Sequence, residues 1–389
     1  MPPMTSWHLN TIKNSSLGVA IGYPEFVSVV DTVISQTGQA IEGVGLIVAS
    51  IGTVTAWLVA ACEFPGRRIF GWALLLPLAV PTYIVAYAYL DLLHPVGPVQ
   101  SLIRDILGYD SPRDLRLPDI RSMPGCILLL GLVLYPYVYL PVRALFVMQA
   151  GNLMDAARML GAGPVATFWR VVLPLARPAV AVGTALALME SLNDIGAAEF
   201  LGVRTMTVSV YSTWINRSDL PGAAQISLAM LAIVTGLILL ERRGRKRQRY
   251  AASAQRSQPI QRLRLRGWRA GLATLACALP VGFGFVAPAA YLAVEAWQRY
   301  LFAGISPRIL AEAGNTALFA AIATVIAVGL GLVVTGAARL RPGRFTQTMA
   351  RVSTLGYAVP GTILAIGLLP VVTLADRQID ALARAIWAR

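Results

Sequence analysis

An all-α, polytopic membrane protein is the fold class this sequence predicts, and three observations carry the prediction. The 389 residues are 56% hydrophobic and 13% charged, about half of the roughly 25% charged share of a soluble domain. The apolar residues gather into eight long stretches, and a helix crossing ~30 Å of hydrocarbon needs about 20 of them in a row. The loops between the stretches alternate between strongly basic and charge-balanced. A soluble core of this length could not hide so much apolar surface. A soluble enzyme, a disordered chain and a disulfide scaffold are all excluded.

The elements follow in order. Residues 1–40 are only patchily apolar and contain Lys13, Glu25 and Asp31, so they stay unassigned; they lack the layout of a cleavable signal peptide. Spans are expected at 41–61, 70–93, 124–148, 176–200 and 222–240, making a first domain of five helices over 41–240. A basic linker at 241–267 leads to 268–389, with spans at 268–295, 315–338 and 350–374. These are continuous apolar runs and not ten-residue alternations, which argues against a β-barrel. Prolines such as those in Leu76-Pro77-Leu78-Ala79-Val80-Pro81 are tolerated in membrane helices when neighbours satisfy the freed backbone groups.

Charge sets the orientation. Arg67 and Arg68 follow the first span, and Arg339, Arg341, Arg344 and Arg351 surround the loop before the last. The linker runs Arg242-Arg243-Gly244-Arg245-Lys246-Arg247 and later adds Arg262, Arg264, Arg266 and Arg269. By contrast, 94–123 balances four arginines against Asp105, Asp110, Asp114 and Asp119. The positive-inside rule puts 62–69, 149–175, 241–267 and 339–349 in the cytoplasm. The net charge of +14 therefore reads as topology and contact with anionic headgroups, not as nucleic-acid binding. Cys62, Cys126 and Cys277 are far apart and make no metal-type pair.

The chain also repeats itself. Pro65-Gly66-Arg67 recurs as Pro342-Gly343-Arg344, and Ala79-Val80-Pro81 recurs as Ala358-Val359-Pro360, at offsets of 277 and 279. Six spans separate the copies, an even number, so both copies run the same way through the membrane. The span at 315–338 should match 41–61, and 350–374 should match 70–93. The second copy reads as incomplete, and the first as lacking a counterpart of 268–295.

The loop after the third span reads Asp155-Ala156-Ala157-Arg158-Met159-Leu160-Gly161, then runs through Arg170 to Val171-Val172-Leu173-Pro174. Asp155 can cap a short alanine-rich helix, which Gly161 and Gly163-Pro164 stop. An amphipathic stretch, Phe168 to Val172, follows and is broken by Pro174 at the membrane. A slim helix parallel to the membrane would result, suited to a groove on a soluble partner. This loop resembles the coupling loop of ABC-importer permeases: Glu-Ala-Ala, three residues, Gly, nine residues, Ile, one residue, Leu-Pro. Here Asp155 stands for the Glu and Val171 for the Ile, with every spacing kept.

Pro65-Gly66-Arg67-Arg68, the motif at 76–81, Met189-Glu190-Ser191-Leu192-Asn193-Asp194-Ile195-Gly196 and the doubled layout resemble the ferric-iron importer permeases. The resemblance implies a bacterial inner-membrane subunit working with a periplasmic binding protein and a cytoplasmic ATPase dimer that uses ATP and Mg. It implies ferric iron as cargo; relatives carry thiamine, polyamines or phosphonates. Asp155, Ala156, Ala157, Gly161, Val171, Leu173 and Pro174 would couple the ATPase to the spans. A second permease chain, or more sequence beyond Arg389, would supply a second such loop.

Glu190, Asn193 and Asp194 fall in the fourth span, where ionised groups are costly unless solvated or paired. At spacings of three and four they share one helix face. They read either as lining a cargo pathway or as a network holding the fourth span against its neighbours. No phosphate-cradling Gly-Lys-Ser/Thr loop occurs, and Lys13 and Lys246 are the only lysines. The chain is expected to bind no cofactor or metal of its own and to be no enzyme. A rival reading is an ion-coupled secondary transporter using Glu190 and Asp194 as a relay; another is an inactive truncated fragment.

Overall fold

A computed structural model describes residues 40–159, 161, 163–246, 262–341, 343–355 and 361–387. The expectations for 1–39 and for the linker's 247–261 fall outside the described residues. Helix α1 runs Ala40–Ala61. It owes its close packing to small residues: a Cβ on Gly52 would come 2.6 Å from Val138 Cβ and 2.9 Å from the Tyr135 carbonyl. Val44, Val48 and Ala56 are fully buried along the same helix. Strand β1, Cys62–Glu63, follows, and Gly66 turns the chain at φ 77° into α2, Arg67–Ala73.

A 3-10 turn, Leu76–Ala79, then leads to α3, Thr82–Leu92. Val80 is extended, as the residue before a proline prefers to be, and Pro81 begins α3. The expected single span at 70–93 is thus corrected to a pair of helical segments bent by 90°. Beyond α3, α4 spans Pro98–Leu107, with Gln100 and Arg104 buried beneath it. Gln100 Nε2 donates to the Leu93 carbonyl at 2.7 Å, and Arg104 donates to that of Pro95 at 2.7 Å.

Helix α5, Met123–Leu134, is capped by Ser122, whose Oγ accepts from Gly125 N–H at 3.3 Å. Helix α6, Pro136–Met159, continues it, and the two make one span over Met123–Val147. Tyr135, Val138, Tyr139, Val142 and Phe146 are fully buried and form the centre of the core. Tyr139 Oη donates to the Gly71 carbonyl at 3.0 Å, tying α6 to α2. Helix α7, Pro164–Thr167, a π-helical turn Phe168–Val172 and α8, Leu173–Asn193, return through the membrane, with α8 packed along α6. Short helices α9, Gly196–Phe200, and α10, Met206–Tyr211, lead to α11, Leu220–Lys246. Helix α11 covers the expected span at 222–240.

Strand β2, Leu263–Arg264, pairs in parallel with β1 across 201 positions of sequence, placing Cys62 beside Leu263 and Glu63 beside Arg264. Two residues of extended chain on each side are the departure from an all-helical expectation. Helix α12, Trp268–Val281, a π-turn Gly282–Val286 and α13, Ala287–Ala303, form one span of 36 residues, longer than the expected 268–295. Thr274 Oγ1 donates to the Pro65 carbonyl at 3.1 Å, and Tyr89 Oη donates to the Phe283 carbonyl. The π-turns at 168–172 and 282–286 each end two residues before a proline, Pro174 and Pro288. Proline has no N–H and its ring crowds the carbonyl four residues back, so a widened turn there removes the conflict without ending the helix.

Helix α14 covers Pro307–Leu340, α15 covers Arg344–Leu355 and α16 covers Gly361–Trp387. Of the expected span at 350–374, residues 350–355 lie in α15 and 361–374 in α16, and 356–360 are outside the described residues. Among the described residues five helices are long and apolar enough to cross a membrane, six if the bent pair counts as one span. Of the eight expected spans, the one at 70–93 is bent. Two helix boundaries repeat the sequence offsets: α1 ends at Ala61 and α14 at Leu340, and α2 starts at Arg67 and α15 at Arg344.

Candidate functional site

The loop that carries the spacing pattern begins inside a helix. Asp155, Ala156 and Ala157 lie in the last turns of α6, which runs unbroken from Pro136 to Met159. The expected separate short helix with Asp155 as its cap is corrected accordingly. Between Pro141 and Gly161 the only weak helix former of note is Gly151, whose cost of about 1 kcal/mol its neighbours absorb. Gly161 then turns the chain at φ 77°, with open space where a Cβ would stand. Backbone angle, and not crowding, is what selects glycine here.

Val171 sits in the π-turn, and Leu173 and Pro174 open α8. The expected break at Pro174 is absent for the reason given above, so 164–193 is one continuous helical run. Phe168 packs on Trp57 with ring centres 5.6 Å apart, while Trp169 is exposed. The amphipathic stretch thus fixes the loop's return to α1 and leaves one aromatic face outward.

The polar residues sit at the far end of α8. Glu190 and Asn193 belong to the helix, but Asp194 follows it with an extended backbone, φ −77° and ψ 108°. The three do not share one helix face as the spacing suggested, because the helix ends first. Asp194 Oδ1 instead accepts from Ala197 N–H at 2.8 Å, starting α9, and its carboxyl lies beside Thr82 at the head of α3. A carboxylate at a helix start meets unpaired N–H groups and the positive end of the helix dipole. Asn193 Oδ1 is buried with no hydrogen-bond partner, and Glu190 is half-buried with no described ion pair.

Sequence reasoning did not identify two further members. Thr207, 1% exposed, donates from Oγ1 to the Leu192 carbonyl, one of the orphan acceptors at the end of α8. Thr82 lies at the break in the 70–93 span. Neither carries a local signal, since Thr82 and Asp194 are more than a hundred residues apart. Gly196 brings the elements together: a Cβ there would stand 2.6 Å from Tyr83 Cβ. Thr82 and Asp194 therefore lie together where a broken helix starts again, the place where membrane proteins can tolerate irregular backbone. No cluster of three or more His, Cys, Asp or Glu fit to hold a metal occurs among the described residues.

The family described as binding-protein-dependent transport system inner membrane component matches residues 49–250, just over half of the chain. The chain belongs to that family. It is a multi-pass membrane protein and a permease component of an ABC importer, and the matched region holds both the 155–174 loop and the polar end of α8. It is 28% identical over 212 residues to the "Putative 2-aminoethylphosphonate transport system permease protein PhnU" of Salmonella paratyphi A, covering 54% of this chain and 71% of that protein. It is 28% identical over 195 residues to the molybdenum transport system permease protein ModB of Escherichia coli K12, covering 49% and 82%. It is 26% identical over 184 residues to the Fe(3+)-transport system permease protein FbpB 2 of Haemophilus influenzae, covering 47% and 32%.

Proposed function

We propose that this permease couples a cytoplasmic ATPase dimer to the import of ferric iron delivered by a periplasmic binding protein, with residues 155–174 as the docking element. The observation that carries the coupling role is Gly161 at φ 77° between two helical runs. A rigid corner of that kind transmits a push from a docked partner to α6 and α8 together, and these two helices pack along each other through the core. Asp155, Ala156 and Ala157 precede the corner, and Val171, Leu173 and Pro174 follow it on the return. The chain hydrolyses no ATP itself in this reading; ATP and Mg belong to the partner.

The test is Gly161→Val beside Gly163→Ala in a transport-competent background. A β-branched residue in the left-handed region costs on the order of 1–2 kcal/mol, so Gly161→Val should abolish ATP-driven transport and weaken ATPase copurification while membrane insertion persists. Gly163 has no such backbone angle and its Cβ would meet nothing within 4 Å, so Gly163→Ala should transport normally. Wild-type transport with normal ATPase retention in Gly161→Val would place the docking element elsewhere in the chain.

Iron as cargo is supported by the motifs shared with ferric-iron permeases and by the named Fe(3+) relative. A phosphonate reading is favoured by the PhnU relative, which matches more of this chain and more of its own length. Uptake of labelled ferric iron against labelled 2-aminoethylphosphonate, in cells carrying the complete transporter, decides between them.

A further inference from the structure

The segment Arg262-Leu263-Arg264-Leu265-Arg266 alternates in burial as an extended chain should: the three arginines are exposed and the two leucines are turned inward. Leu265 packs against the main core, and its N–H donates to the Glu63 carbonyl at 3.0 Å. The segment is therefore pinned by its backbone and leucines, leaving a row of guanidinium groups on one side. Glu63 takes up Arg67 at 3.1 Å and Arg262 at 3.7 Å. Among the described residues no carboxylate pairs with Arg264, Arg266 or Arg269.

Gly267 turns this row directly into α12, the start of the apolar span Trp268–Ala303. The first turn of α12 has no side-chain cap and no acid, so its N–H groups add to the positive field. Trp268 is 71% exposed, with the Arg269 guanidinium 5.6 Å from its ring centre. Together with Leu263 and Leu265, these side chains line a concavity of about 340 Å³. An exposed tryptophan at the first residue of a membrane span stands at the headgroup level.

We infer that this concavity is a binding site for the phosphate headgroup of an anionic phospholipid. Arg264 and Arg266 would hold the phosphate oxygens, Arg269 and the α12 start would add charge, and Trp268 would lie along the glycerol and upper acyl region. Charge complementarity selects an acidic lipid over a zwitterionic one. Arginine suits this role because its planar fork of donors matches phosphate oxygens. Because β2 pairs with β1 and α12 leans on α2, a lipid seated here would fasten the second half of the chain to the first at the membrane surface.

Native mass spectrometry of the full-length chain, purified in detergent and titrated with phosphatidylglycerol or phosphatidylcholine, tests the site. The wild type should retain phosphatidylglycerol preferentially, and Arg264→Gln/Arg266→Gln should lower that retention roughly tenfold by removing two surface charges, each of which contributes separately. Arg264→Lys/Arg266→Lys should keep most of it, which separates lost charge from lost folding. Arg113→Gln/Arg116→Gln, two exposed arginines in the 108–122 loop, should leave it unchanged. Undiminished retention in the Gln pair, or equal retention of phosphatidylcholine, overturns the inference. Stripping of the lipid by inorganic phosphate alone would reassign the site to a free anion. Loss of a copurifying ATPase with lipid retention intact would reassign the arginine row to a protein partner.

Discussion

Residues 40–92 and 307–387 each carry a long helix, a Pro-Gly-Arg sequence, a shorter helix and a further helix, yet they meet different fates. Half of the most apolar stretch of α1 is buried, and none of that of α14 is. The difference shows in equivalent small residues. A Cβ on Gly43 would collide with Ile127 at 2.8 Å and one on Gly52 with Val138 at 2.6 Å, whereas Gly329, Gly331 and Gly336 of α14 face open space. Helix boundaries are thus carried by local chemistry, whereas burial depends on which other helices are present to pack. Within the described residues α1 is packed closely by α5, α6 and α8, while α16 meets α10 and α11 around Ile366, 7% exposed.

The largest test of that contrast is Gly52→Val against Gly331→Val. The first forces a side chain into the backbone of α6 and should destabilise the fold by about 3 kcal/mol or prevent it; the second should cost no more than about 0.5 kcal/mol. Thermal unfolding in detergent, followed by circular dichroism, reads both. Equal losses would mean that α14 is packed as tightly as α1 and would break the comparison.

Next come the paired turn glycines. Gly66 sits at φ 77° with Phe70 Cε2 at 3.0 Å from a would-be Cβ, while Gly343 lacks a left-handed angle and would meet Thr346 Oγ1 at 3.7 Å and the Arg341 carbonyl at 4.0 Å. Gly66→Ala should cost roughly 1–2 kcal/mol and Gly343→Ala close to nothing. A similar loss at both would show that the two turns share one geometry after all.

Smaller still is Thr207→Val, which leaves the Leu192 carbonyl without its donor beside the polar end of α8. About 1–2 kcal/mol should be lost, since an unpaired buried acceptor keeps its desolvation penalty. An unchanged melting temperature would remove Thr207 from the group of residues that hold that end of the helix. The smallest effect is expected at the clasp between the halves. Glu63→Gln loses two partly exposed ion pairs and should cost at most about 1 kcal/mol, diminishing further in high salt. A salt-independent loss would place the clasp in a drier setting than its exposure indicates.

Much of this protein could be read before any fold was known. The membrane class, most of the spans and the Asp155 to Pro174 spacing follow from apolar run length, from proline and glycine punctuation and from residue identity, all of which act over a few residues. The misreadings lie where a longer range intervenes. Asp155 looked like the start of a helix because its own residues favour a cap, but α6 arrives from Pro136, runs past Pro141 and Gly151, and passes through it. Pro174 looked like a stop, and the π-turn before it absorbs the conflict.

Glu190 and Asp194 looked like neighbours on one face, and the chain leaves the helix between them to meet Thr82. The 90° bend at Val80-Pro81, the Thr207 hydrogen bond to Leu192 and the pairing of Glu63 with Arg264 each join residues that no local pattern connects. Sequence alone determined where helices can begin, end and cross a membrane, because propensity, capping and apolar length are properties of contiguous residues. Tertiary structure alone decided which small residues are pressed against a neighbour and which polar groups find partners, because close packing and hydrogen-bond satisfaction depend on atoms brought together from distant parts of the chain.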